Sequence, residues 1–131
     1  MARKMGKETN ALNWFEIPAT DIERAKKFYE SIFDISMGTM GVAGMKMAMF
    51  PSEGFGGTVG GALVQSAGRK PSTSGVYVYL NANPDLQVVL DRIPKAGGTV
   101  TVPKTMITKE YGYMAFFTDT EGNAVALHSN E

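Results

Sequence analysis

Residues 14–33, WFEIPATDIERAKKFYESIF, give the clearest indication of the fold, a short strand followed by a helix. The first four residues have the composition of a short strand, and Pro18 is expected to end it. Thr20 followed by Glu23 matches a capping box, which predicts a helix with Thr20 as its N-cap. Apolar residues then recur at steps of three and four, as on the buried face of a helix; they are Ile22, Ala25, Tyr29, Ile32 and Phe33.

Outward from this strand and helix, the first half of the chain predicts two further strands, at residues 45–50 and 60–65. The glycine-rich segment between them, 51–58, is predicted to be irregular. It lacks the Lys-Ser or Lys-Thr pair of a phosphate-binding loop. A lid over a binding site, carrying Phe55, is the better interpretation.

The second half follows the same plan. A strand at 76–80 precedes Asn83-Pro84-Asp85, where a helix is predicted to start with proline as its first residue. Gly97-Gly98 is predicted to end this helix, and Pro94 to end or kink it near Ile93. The buried stripe is predicted to be Leu86, Val89, Leu90 and Ile93, and further strands are predicted at 99–102, 113–117 and 124–128.

An internal duplication connects the two halves. Residues 47–54, MAMFPSEG, are echoed by residues 114–122, MAFFTDTEG, with one insertion. Each half is therefore interpreted as strand, helix and three strands. We expect residues 1–10 to form a disordered tail and residues 11–131 a single domain, divided into module one (11–65), a linker (66–74) and module two (75–129).

The composition excludes several kinds of chemistry. The chain has 131 residues, thirteen Lys and Arg against thirteen Asp and Glu, no cysteine and one histidine. Thiol chemistry, disulfides and a two-histidine metal site are therefore excluded within one chain. The balanced charge offers no footprint for nucleic acid or an anionic membrane, and no apolar run approaches the ~20 residues of a membrane span. We expect a cytoplasmic protein.

Three motifs carry a family resemblance: residues 17–25 leading to Phe28-Tyr29, then Ala96-Gly97-Gly98, then residues 119–123. They resemble the vicinal oxygen chelate superfamily, which includes glyoxalase I, bleomycin-resistance proteins and extradiol dioxygenases. The resemblance covers residues 13–129 and implies an α+β fold, in which two tandem βαβββ modules form a U-shaped mixed sheet around a cleft. Function must still be argued from the site.

The resemblance also implies where a metal would be bound. Enzymes of this superfamily use four inward-facing His, Gln or Glu side chains, and here those positions fall on Trp14, Leu63, Tyr77 and Ala126. A one-residue change of register would replace Gly61, Leu63 and Gln65 with Ala62 and Val64 as the inward residues of that strand. Neither choice supplies a carboxylate or imidazole, so we expect no family-type metal and no cofactor.

Alternation along the strands predicts a ligand-binding face instead. Phe15, Ile17, Val78, Leu80, Val125 and Leu127 are predicted to face the helices. The predicted site is an apolar wall with a few polar groups, suited to a small aromatic or planar molecule. Its residues are Trp14, Glu16, Leu63, Gln65, Tyr77, Tyr79, Asn81, Ala126 and His128.

Each candidate also has a structural alternative. Trp14 and the tyrosines could fill a core or a dimer interface. Glu16 could be a general base if burial raised its pKa, or it could be paired with Lys or Arg. His128 could be an acid or base, or an exposed residue near the end of the chain. The methionines at 37, 40, 45, 47 and 49 favour packing or an adaptable wall over a copper(I) site, and Tyr111-Gly112-Tyr113 either borders the cavity or forms a turn.

Two functions remain open from the sequence. The first is a homodimeric, metal-free small-molecule binding protein. The second is an isomerase, epimerase or lyase, rather than a dioxygenase, that uses Glu16 or His128 as an acid–base group, with or without a divalent metal held by other ligands.

Overall fold

The computed structural model of the protein describes residues 3–53 and 57–131. Phe55, expected on a lid, lies outside the described residues. The chain forms two βαβββ modules, and each module has its own four-stranded mixed sheet. The elements are β1 (Trp14–Pro18), α1 (Ile22–Phe33), β2 (Gly38–Val42), β3 (Met45–Met49), β4 (Gly60–Gln65), β5 (Tyr79–Asn81), α2 (Leu86–Ala96), β6 (Thr99–Thr108), β7 (Gly112–Thr118) and β8 (Ala124–Ser129).

The two sheets share one topology. Their strand orders are β1-β4-β3-β2 and β5-β8-β7-β6. The first strand of each module pairs in parallel with the last, and the other neighbours are antiparallel. The α+β fold with tandem modules is therefore confirmed. Neither helix among the described residues is long and apolar enough to cross a membrane.

Each helix packs against the sheet of its own module and against the other helix, and these contacts form the main core. The predicted stripes of both helices are buried, apart from Phe33, which is partly exposed. Strand residues from both modules reach the same core, including Ile17, Leu80, Val125 and Leu127 as predicted. One continuous core thus joins the modules within the chain, since neither sheet could bury its apolar face alone.

A set of polar contacts, here called the inter-module latch, closes the boundary between the modules. The Tyr29 hydroxyl donates to Asp119, and Asn123 Nδ2 donates to Pro18 O at 2.7 Å. The Glu121 carboxylate accepts hydrogen bonds from the main-chain N–H groups of Thr20 and Asp21 and from the Arg24 guanidinium. The loop between β7 and β8 is thereby fixed to the start of α1.

The start of α1 differs from the prediction by one residue. The N-cap is Asp21 rather than Thr20, because Asp21 Oδ1 accepts from the N–H groups of Glu23 and Arg24 at 3.1 and 3.2 Å. The carboxylate that accepts from the main chain before the helix belongs to Glu121 of module two, not to Glu23 as in a capping box. The local pattern pointed to the right turn, but the acceptor comes from a distant part of the chain.

The start and end of α2 also differ from prediction. Asp85 is its N-cap, so Pro84 lies before the helix, where a cis bond joins it to Asn83. Pro94 lies inside the helix and does not end it. Hydrogen bonds from the Gly97 and Gly98 N–H groups to Pro94 O and Ile93 O close the last turn. Gly97 ends the helix as predicted, with a φ of 106° that favours glycine.

Three strands depart from expectation. The sequence predicts no strand at β2, because its residues show no apolar alternation; all five are exposed in the structure. In place of the strand predicted at 76–80 the structure has the shorter β5, Tyr79–Asn81, and Val76 is 91% exposed. The strand predicted at 99–102 extends to Thr108 and contains Pro103, which is tolerated because β6 is an edge strand.

Candidate functional site

A cleft of about 1160 Å³ opens between β1 and the segment that contains β5, and both modules line it. We call it the aromatic cleft because its lining includes six aromatic side chains: Trp14, Phe15, Phe33, Phe50, Tyr77 and Tyr79. Phe15, Phe33 and Phe50 also pack against the main core. One side of these rings is therefore supported by packed residues while the cleft remains open.

The first wall of the cleft is built on β1. Trp14 and Glu16 lie on one face of this strand, and the indole Nε1–H of Trp14 donates to Glu16 Oε2 at 3.1 Å. Arg69 of the inter-module linker forms an ion pair with the other oxygen, Glu16 Oε1. Glu16 therefore connects Trp14 to Arg69 through one hydrogen bond and one ion pair.

The pKa of Glu16 is lowered by this arrangement. The hydrogen bond from Arg69 is the main cause; partial burial opposes it, and the Trp14 hydrogen bond adds to it. A general base that works near neutral pH needs a raised pKa. Glu16 therefore has the properties of a paired carboxylate that orients Trp14, which matches the structural alternative considered from the sequence.

The second wall carries an aromatic group from module two. Tyr77 stacks on Phe116 of β7, with ring centroids 5.2 Å apart and planes 21° apart. Tyr79 contacts the same ring edge-to-face, at 6.1 Å. Tyr77 and Tyr79 are 46% and 50% exposed, so each retains a ring surface toward solvent. Such large, half-exposed aromatic surfaces are typical of binding sites.

Polar groups lie at the end of the cleft next to α2. Asn81 Oδ1 accepts from the Asn83 N–H at 3.0 Å, and Arg92 donates to Ile32 O. Asp85 forms a 2.8 Å ion pair with Lys104. Hydrogen bonds from Lys104 and from the Gln87 N–H lower the pKa of Asp85. Both carboxylates of the lining, Glu16 and Asp85, are therefore ionised and already paired.

Five of the nine predicted site residues line the aromatic cleft: Trp14, Glu16, Tyr77, Tyr79 and Asn81. Leu63 does not, because it is fully buried in the core beneath the helices. The parallel register pairs Trp14 with Gly60 and Glu16 with Ala62, so Ala62 and Val64 share the face of Trp14 and Glu16, although neither lines the cleft. Ala62 and Val64 share a small second core with Trp14.

The other three predicted residues lie elsewhere. Gln65 lines a separate cavity, and its side chain accepts from the Ile22 N–H. Ala126 is fully buried and is paired in register with Tyr79 on one side and Phe116 on the other. His128 Nε2 lies 2.6 Å from Tyr111 O, and because a carbonyl only accepts, this nitrogen is the donor.

The remaining sequence motifs have structural roles in the described residues. Met47 is buried beside Met45 and Met49 in the small core around Trp14, and Met37 belongs to the main core. Met40 is half-exposed. Residues 109–111 form a turn that leads into β7, so the turn interpretation of Tyr111-Gly112-Tyr113 is confirmed.

Several residues of the cleft were missed from the sequence, among them Ile35, Phe50, Val88 and Arg92. Val88 offered a signal, since it lies outside the buried stripe of α2 and is 51% exposed. With Leu12, Val59 and Val76 of the same lining it adds to an exposed apolar surface, and such a patch indicates a place that another molecule can cover.

The residues at the family's metal-binding positions do not fit a metal. Trp14, Tyr77 and Ala126 supply no carboxylate or imidazole, and neither Leu63 nor the correctly placed Ala62 and Val64 does so. Within residues 3–53 and 57–131, no group of three His, Asp or Glu side chains is close enough to hold an ion.

Comparisons with known proteins agree on one family. The model of the Glyoxalase/Bleomycin resistance protein/Dioxygenase superfamily matches residues 11–127. A glyoxylase-like domain-containing protein of Didymella fabae is 31% identical over 88% of this chain and 91% of its own length.

Solved structures share the fold at lower identity. Glyoxalase I of Zea mays matches with a TM-score of 0.68 and 20% identity; the match covers 90% of this chain and 45% of the maize chain. This chain thus spans less than half of that protein. TnmS3, an antibiotic binding protein from Streptomyces sp. CB03234, matches with a TM-score of 0.62 and 19% identity over 96% of this chain and 100% of its own.

Proposed function

The chain belongs to the Glyoxalase/Bleomycin resistance protein/Dioxygenase superfamily, and from this premise we propose that it binds a small aromatic or planar molecule in the aromatic cleft, without a family-type metal centre. One observation carries the proposal: Trp14 of module one and Tyr77 and Tyr79 of module two line the same cleft. A flat molecule between the two walls would contact ring surfaces from both modules.

The energetics favour this class of ligand. Trp14 is held by Glu16 and the tyrosines lean on Phe116, so the rings lose little conformational freedom when a molecule binds. Aromatic pairs contribute about 0.5–1.5 kcal/mol each beyond the area they bury. A planar ligand that covers two or three rings gains this binding free energy for each ring, in addition to the free energy from burying the exposed ring surface.

Binding is better supported than acid–base catalysis. The lowered pKa of Glu16 leaves it a weak base, and Arg69 and Trp14 occupy its two oxygens. His128, the other candidate, is not among the residues that line the cleft, and its Nε2 donates to a carbonyl. The Streptomyces neighbour is an antibiotic binding protein, which supports ligand binding as a function that this fold can carry.

The proposal includes a homodimer. Leu12, Val59, Val76 and Val88 line the cleft and are exposed in the single chain. A second copy that covers these residues would bury apolar surface and deepen the cleft. We propose a two-fold dimer because this is the commonest closed assembly. Analytical ultracentrifugation should find a dimer, and Val88→Asp should shift it toward monomer; a wild-type monomer at all concentrations would contradict this part.

Ligand binding is tested with N-phenyl-1-naphthylamine, a neutral aromatic dye that fluoresces in apolar sites. We expect saturable binding that Tyr79→Ser weakens about fivefold or more, because the substitution removes one ring face. Tyr111→Ser, a change at an exposed tyrosine outside the cleft lining, is the matched control. Equal affinity in both variants, or no saturable binding, would overturn the proposal.

The metal-free part has its own measurement. Dialysed protein is analysed for metals, and dye binding is repeated after treatment with a chelator. We expect unchanged affinity. A stoichiometric divalent metal that survives dialysis would overturn this part and favour the lyase or isomerase reading.

A further inference from the structure

A second cavity, of about 560 Å³, lies beside the aromatic cleft and shares no lining residue with it. Three cationic side chains line it, Lys46, Arg69 and Lys70, and the described residues of its lining include no Asp or Glu. We call it the cationic cavity. The concentration is local, because the whole chain carries equal numbers of acidic and basic residues.

Both the sheet and the linker position these groups. Lys46 of β3 is paired in register with Gln65 of β4, which places both at one end of the first sheet. The linker then turns back, with a hydrogen bond from the Arg69 N–H to Ser66 O at 3.2 Å. Gly68 makes this turn possible with a φ of 88°, a conformation that other residues rarely adopt.

Most side-chain hydrogen-bond donors that line the cationic cavity have no acceptor among the described residues. Lys46 and Lys70 have no ion pair within the described part of the chain. Arg69 uses one nitrogen for Glu16, although a guanidinium carries five N–H groups. Gln65 uses its oxygen to accept from Ile22, which leaves its amide N–H₂ to donate.

The nearby start of α1 does not contribute donors. Its main-chain N–H groups are already bonded to Glu121, Gln65 and Asp21. The positive charge of the cavity therefore comes from side chains on β3 and the linker. Lys46 and Lys70 carry like charges without an ion pair among the described residues, and an anion between them relieves their repulsion.

We propose that the cationic cavity binds a small, multiply charged oxyanion, of the phosphate or carboxylate class. The planar fork of Arg69 matches the oxygens of either group, and the two lysines supply mobile point charges. The site is separate from the aromatic cleft, so this inference stands whether or not the cleft binds an aromatic ligand.

The two cavities are nevertheless connected through a contact between their linings. Arg69 lines the cationic cavity and Glu16 lines the aromatic cleft, and their ion pair joins the two. A bound oxyanion competes with Glu16 for the guanidinium and changes the surroundings of the Trp14 indole. Trp14 is the only tryptophan, so a change in fluorescence reports on the surroundings of this one indole.

The test titrates the full chain with inorganic pyrophosphate, and separately with malonate, at constant ionic strength. Calorimetry and Trp14 fluorescence are followed together. We expect saturable binding of one anion per chain for at least one probe, accompanied by a fluorescence change with the same dissociation constant. The probe that binds more tightly identifies the phosphate or the carboxylate class.

Removing single charges distinguishes binding at this cavity from a non-specific effect of the anion on the charged surface. Lys46→Gln and Lys70→Gln should each weaken binding about tenfold, as expected for loss of one charge-assisted hydrogen bond. Lys95→Gln, at an exposed lysine of α2 outside both cavities, should leave the affinity unchanged. Circular dichroism establishes that each variant is folded. Absence of saturable binding, or equal weakening in all three variants, would overturn the proposal.

Discussion

The Tyr29 hydroxyl donates a 2.7 Å hydrogen bond to Asp119 Oδ2, although the two residues belong to different modules and lie 90 positions apart. Both are buried. We predict that Tyr29→Phe lowers the free energy of unfolding by about 1–3 kcal/mol, because it removes one donor from a buried carboxylate. Urea denaturation measures the change. Tyr111→Phe, at an exposed tyrosine, should stay within about 0.5 kcal/mol of wild type; equal effects would contradict the role of the latch.

The same phenol predicts a loss of stability in alkali. Burial, and then the negative charge of Asp119, raise the pKa of Tyr29 well above its ordinary value. A raised pKa means that the stabilisation is complete below about pH 10 and is lost as the pH rises through the folded-state value. Urea titrations from pH 8 to 11 should show the wild type losing its advantage over Tyr29→Phe. A constant difference across that range would refute this.

Glu121 gives a third prediction. Burial raises the pKa of Glu121, but hydrogen bonds from Arg24 and the Asp21 N–H outweigh this and lower it. We expect Glu121→Gln to reduce the free energy of unfolding by about 1.5–3 kcal/mol, because the amide keeps one acceptor oxygen and loses the charge. The variant is compared with Glu110→Gln, at an exposed position, by thermal and urea unfolding. If Glu121→Gln unfolds with the same free energy as Glu110→Gln, the latch contributes little to the stability of the fold.

A glycine pair tests the packing behind the cleft. A Cβ atom at Gly61 would lie 2.4 Å from the Phe15 ring, and Phe15 lines the aromatic cleft. Gly61→Ala should therefore cost about 1–3 kcal/mol through overpacking and should also weaken binding of the dye. At Gly38 a Cβ meets nothing within 4 Å, so Gly38→Ala should be close to neutral. Similar stabilities for the two variants would contradict the packing described.

The ion pair between Arg69 and Glu16 predicts an acid transition. Since Arg69 lowers the pKa of Glu16, the carboxylate stays charged until the pH falls below its ordinary value of about 4.5. Trp14 fluorescence should change only below that pH, and Arg69→Gln should move the midpoint upward. Glu16→Gln should abolish this transition. A midpoint that Arg69→Gln leaves unchanged would show that the pair does not control the pKa.

The sequence predicted the elements that depend on local pattern. The stripes of α1 and α2 and the duplication between residues 47–54 and 114–122 were enough for the tandem modules. Where partners came from distant residues, prediction failed. The acceptor for the N–H groups of Thr20 and Asp21 is Glu121 of module two, and the register of β1 on β4 decided that Leu63 faces the core. The aromatic cleft was predicted in part, because Trp14 and Tyr79 follow strand alternation, whereas Val88 enters from a helix.

The contact of Glu121 with the start of α1 has a consequence for the order in which the chain is completed. The N–H groups of Thr20 and Asp21 are synthesised 100 residues or more before the carboxylate that accepts from them. During translation the first turn of α1 has only the Asp21 side chain as a local acceptor. Its final arrangement must therefore wait until the loop between β7 and β8 has emerged. The finished first turn of α1 therefore depends on residues of both modules.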